Sequence, residues 1–334
     1  MTRQSRRSLL STLFVLLCMS LLAAGCAQSG IGQGAPPAPP IATKQIPNPP
    51  PLQLPRIHPF KLPGKTASTS THLLTYHRGP VMHTTSTTYA IFWEPPVLPD
   101  GFPTHVSSTY NGLIQRYFQD IGGSGVYQVN TQYYDIAAHI ANNSTLGGVW
   151  IDHSPYPLPK CFDPLTPHGC LSDAQIQDEV TKAMQVNHWS GGFNHLFFVY
   201  TSSGEGSCYD VSSCAFTQFC AYHSYYNTSN QTILYANMPY AGTVHDCVVK
   251  TSPNNDSDAD STISVSSHEH MEAVTDAHLD AWYDIDGNEN GDKCAWNFGS
   301  VSLDGGKANV QWNEHYYIVQ QEWSNAIADC TLKG

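Results

Sequence analysis

The run TTYAIFW at 87–93 is rich in β-branched and aromatic residues and is closed by Pro95 and Pro96. It reads as a buried strand. HLFFVY at 195–200 has the same character, whereas TILYANMPY at 232–240 is more polar and reads as a strand nearer a sheet edge. Between these runs the apolar spacing becomes helical. Residues 107–121 place Leu113, Ile114, Tyr117 and Phe118 on one face and stop before Gly122 and Gly123. Residues 172–186 open on Ser172 as an N-cap and line up Ile176, Val180, Ala183 and Met184. Residues 126–134 look strand-like, and a last helix, capped by Asp260 or Ser261, runs through Glu272. The order is strand, helix, strand, helix, strand, edge strand, helix. It predicts an α/β (α+β) single domain with a mixed, twisted sheet and an edge strand just ahead of the last helix.

That domain spans residues 66–334, and what precedes it sets its compartment. Arg3, Arg6 and Arg7 lead an apolar stretch at 9–22, and Ala23-Ala24-Gly25 stands before Cys26. This pattern resembles a bacterial lipoprotein leader, residues 1–25, with Cys26 as the lipidated residue and the membrane as the partner it anchors to. An ordinary secretory signal is the alternative, and the stretch is short of the ~20 residues a bilayer span needs. Residues 26–65 carry eleven prolines between Pro36 and Pro63 and read as a tether. Eight cysteines follow Cys26, an even number suited to disulfides in an exported chain. Chain order makes Cys161 with Cys170 a local pair and Cys294 with Cys330 a C-terminal clasp. With a formal net charge of −12, the chain is a poor partner for nucleic acid.

The chemistry concentrates in SSHEHMEAVTDAH at 266–278. His268 and Glu272 are four apart and share a helix face, with about 6 Å between them along the axis. An imidazole nitrogen and a carboxylate oxygen can then converge on zinc at ~2.0–2.2 Å. Glu269 is the candidate general base beside the ion, the place where zincins keep the carboxylate that activates water. His270 faces away. The pattern is HExxE rather than HExxH, so a second carboxylate lowers the Lewis acidity of the ion. Asp276 and His278 are alternatives for the third metal ligand, each needing a chain turn near Thr275, and Glu289 is a candidate from a later element. Downstream, Asp284, Asp286, Asn288 and Asp292 alternate through a glycine-containing loop. They suit calcium, or equally a turn built on Asp-Gly and Asn-Gly.

Several motifs together resemble the Exordium-like, or phosphate-induced protein 1, family and its bacterial relatives. They are LLTYHRGPV at 73–81, IFW at 91–93, SHExxExxTD at 267–276, AWYD at 281–284, GDKC at 291–294 and QQEWSNAIADC at 320–330. Ala277 stands where that family usually has proline. The resemblance implies an extracellular protein with a zincin-like or metzincin-like HExxE core. The expected function is zinc-dependent hydrolysis of a peptide or cell-wall substrate outside the cytoplasm. The alternative is a non-catalytic cell-surface binding protein.

Overall fold

The computed structural model describes residues 60–61 and 72–334. The leader, Cys26 and nearly all of the tether lie outside the described residues. The main sheet has six strands: β1 (Phe60–Lys61), β2 (Ser86–Trp93), β3 (Ser144–Asp152), β4 (His195–Thr201), β5 (Phe219–Asn227) and β6 (Thr232–Met238). Their spatial order is β1-β5-β6-β4-β2-β3. β3, β2, β4 and β6 run parallel, while β5 is antiparallel to β6 and β1 antiparallel to β5. The fold is therefore mixed α/β, as the order of segments predicts.

Three longer helices cover this sheet: α1 (Tyr110–Asp120), α2 (Asp173–Asn187) and α3 (Ser257–Thr275). Neighbouring residues of a strand point to opposite faces, and β5 shows which helix lies where. The hydroxyls of Tyr222 and, from β6, Tyr235 both donate to Asp173 at the start of α2. His223, one residue on from Tyr222, meets Glu269 of α3 instead. Tyr110 of α1 bonds to Thr262 of α3, so α1 and α3 share a face. Ser172 caps α2 in a reciprocal box with Gln175, the arrangement its sequence announces.

Three expectations need correction. The segment at 126–134 is not a strand: Ser124 accepts from the Tyr127 amide and starts a helical turn, Gly125–Gln128, that runs on into a 3₁₀ turn, Val129–Gln132. A side-chain cap outweighs a strand-like composition here. Second, β6 is interior, between β5 and β4. The antiparallel strand near the edge is β5, whose aromatic run FCAYHSYY hides its role because it is buried on both faces for most of its length. Third, β1 pairs with β5 through Phe60 and Lys61, so the sheet includes two residues that composition gives to the tether.

Four disulfides join Cys161 to Cys170, Cys208 to Cys214, Cys220 to Cys247 and Cys294 to Cys330. The first and last are the pairs expected from chain order, and the set fits an oxidising extracellular environment. Among the described residues, no helix is long and apolar enough to cross a membrane.

Candidate metal centre

Helix α3 is polar in sequence yet buried from Ala259 through Thr275. A buried helix is usually apolar all round, so each of its polar groups needs a partner. It begins four residues earlier than expected, because Asp256 accepts from the Ala259 amide. Asp260 instead takes Ser252 and Asn254. Ser266 pairs with the Tyr200 hydroxyl. His270 points away from the HExxE face, as its position predicts, and sits among Tyr117, Phe118, Tyr127 and Phe198. Ser86 and Ser144 each lie 3.3 Å from its Nε2, and burial pushes its pKa down to about 3.

The opposite side of α3 meets β5 and the segment 284–294. His268 Nε2 lies 3.1 Å from Glu272 Oε1. His223 Nδ1 hydrogen-bonds Glu269 Oε2 at 3.2 Å and stands 3.8 Å from Glu272 Oε2, while its Nε2 is 3.6 Å from Glu289 Oε1. Two sets of donors result, His268 with Glu272 and Asp292, and His223 with Glu272 and Glu289. Within each set the ligand atoms lie within 4.8 Å of one another. All six side chains named here are at most 4% exposed.

Electrostatics make this cluster costly without a cation. Burial raises the Glu289 carboxyl well above its ordinary value, and Glu272, Asp276, Asp292 and Glu269 push it further. Glu322, also fully buried, is raised by burial and by Glu272. Burial lowers the His223 imidazole, against the pull of Glu272, and favours the neutral form that binds metals. Neither oxygen of Glu289 accepts a hydrogen bond, nor does Nε2 of His223 make one. A cation between these two side chains would satisfy all three atoms. The donor set thus fits a divalent metal, and two imidazoles among carboxylates suit zinc, iron or manganese.

Asp276 and His278, the two candidates nearest the helix end, stand outside both donor sets. Asp276 ends α3 by accepting the Asp280 and Ala281 amides with Oδ1, which turns the chain back. Burial, with Asp280 and Glu272 adding, raises its pKa to about 8. That turn carries the His278 ring against Phe193 and Tyr225, away from both donor sets. Asp292 completes one donor set, and Glu289, the candidate from a later element, completes the other.

The calcium reading also changes. Asp284 Oδ1 accepts the amides of Asp286 and Asn288, and Asn288 donates its side-chain amide to Asp284 as well. The Lys293 ammonium, 3.2 Å from Asp284 Oδ2, already provides the positive charge. Asp286 points outward to His72, and Asp292 turns to α3. The loop is the Asx-type turn that Asp-Gly and Asn-Gly predict. Cys161, Cys170 and Cys208, close enough to bind a metal, are held in disulfides.

His223 and Glu322 are the members that sequence reading passes over. A lone histidine inside an aromatic run, just ahead of the turn at 228–231, was the available signal for the first. Glu322 lies in the closing QQEWS motif but shows no metal-ligand spacing. Gly291 closes the cluster: a Cβ there would lie 2.7 Å from His268 Nδ1 and 2.9 Å from Glu272 Oε1. Two surface grooves, of about 340 and 440 Å³, are lined by none of these donors. Compared with family models, with curated proteins and with solved structures, the chain matches none.

Proposed function

We propose that the chain is an exported metalloprotein of zincin-like build, tethered through lipid on Cys26, with a peptidase-type centre buried within the fold. The observation that carries this reading is the convergence of two imidazoles and four carboxylates from β5, α3 and the segment 284–294. His268, Glu272 and Asp292 would hold the cation. When bound, a divalent cation polarises a carbonyl and makes water a better nucleophile near neutral pH. Glu269 accepts and returns the proton, and its bond to His223 fixes its orientation. The Exordium-like motifs agree with this reading, since most of them fall on the site helix and its covering segments.

One observation favours a second reading. Every donor is buried, and Gly291 packs directly on His268 and Glu272. A structural cation in a non-catalytic cell-surface binding protein would look the same. The deciding experiment incubates the zinc-loaded chain with a mixed peptide library, with and without chelator, beside Glu269→Gln. Cleavage lost in both controls supports the peptidase. Bound zinc with no cleavage in any sample establishes the second reading.

A further inference from the structure

Glu272 presents its two oxygens to different partners. Oε1 lies 3.1 Å from His268 Nε2 and accepts the Asp292 backbone amide, while Oε2 lies 3.8 Å from His223 Nδ1. It is also the one residue common to both donor sets. A carboxylate so placed resembles a bridge more than a terminal ligand. His223 supports this independently. Its Nδ1 is engaged by Glu269, which directs the lone pair of Nε2 toward Glu289 Oε1 at 3.6 Å. That nitrogen and both Glu289 oxygens are buried and make no hydrogen bond.

Charge leads to the same place. Glu269, Glu272, Glu289 and Asp292 bring four carboxylates together, and Asp276 and Glu322 stand beside them. Lys293, next in the chain after Asp292, directs its ammonium to Asp284 and the Trp323 ring. One divalent ion offsets half of the four negative charges. A second offsets the rest.

We propose that the centre holds two divalent transition-metal ions bridged by Glu272, one ligated by His268 and Asp292, the other by His223 and Glu289. This rests on the metalloprotein reading above and extends it, because the sequence points neither to His223 nor to a second ion sharing Glu272. Bridged pairs of this kind sit about 3.5–4 Å apart, close enough to couple magnetically.

The test loads the full chain with manganese(II) alone and reads both the number of ions bound and the electron paramagnetic resonance spectrum. The expected result is about two ions per chain with an exchange-coupled spectrum, reduced in Glu289→Gln to about one with an uncoupled six-line signal, the second affinity falling at least ~10-fold. Circular dichroism and a thermal melt establish that the variant folds, and the wild-type count is informative without it. One ion per chain, unchanged by Glu289→Gln or His223→Ala, overturns the two-ion proposal and leaves the mononuclear centre standing. No bound metal in the wild type overturns both.

Discussion

His223 and Glu269 meet at 3.2 Å with both side chains sealed from solvent, joining a sheet strand to the HExxE helix. A carboxylate bonded to one nitrogen of an imidazole fixes which nitrogen is left to bind a metal. The contact therefore ties the base of the proposed reaction to the ligand shell, and substitutions around it should separate metal binding from simple packing.

Gly291→Ala tests how closely the covering segment sits. The φ of −70° at Gly291 is open to any residue, so backbone strain is not the issue. The added methyl meets the His268 ring and a Glu272 oxygen instead. We expect metal affinity to fall by about 10-fold or more, read by competition with a chromogenic chelator, with secondary structure intact.

His270→Ala should do the reverse. Its ring fills an aromatic pocket on the far side of α3. Removing it should cost about 2–4 kcal/mol in urea unfolding while leaving metal content unchanged.

Glu205 provides a pH prediction away from the metal centre. Burial raises its pKa to about 8, and its Oε2 accepts no hydrogen bond. The folded state therefore keeps a proton that the unfolded chain releases above about pH 4.3. Stability from this group is present at low pH and is lost as pH rises toward 8. Thermal melts should show Glu205→Gln gaining on the wild type between pH 5 and about pH 8, and no further beyond.

The clasp between Cys294 and Cys330 closes a separation of 36 residues directly behind Asp292. Replacing both cysteines with alanine should lower stability by about 4 kcal/mol on the chain-entropy account, read by chemical denaturation without reductant. Metal affinity should fall with it, because Asp292 loses its anchor.

The sheet was legible in the sequence wherever burial and composition agree, as in β2 and β4, whose apolar runs admit one interpretation. β5 was not, because its tyrosines and histidine look like surface residues until α2 and α3 bury them from both sides. Helical spacing brought His268, Glu269 and Glu272 together, since four residues on a helix fix a common face. Glu289 could be named only as a candidate from a later element and Asp292 only as a calcium ligand, while no local pattern marks His223. They arrive by sheet pairing and by the turn that Asp276 sets, both long-range outcomes. Asp292 shows the difficulty best: its alternation with Asp284 and Asp286 suggests a calcium loop, while in the structure Lys293 pairs with Asp284 and Asp292 groups with His268 and Glu272.

The most direct test of the account is the metal content of the purified chain by inductively coupled plasma mass spectrometry, beside His268→Ala and Glu272→Ala. We expect about one or more divalent ions per wild-type chain, with a loss of about 10-fold or more in each variant. Equal, negligible metal in all three proteins, with melting unchanged by chelator, would contradict it.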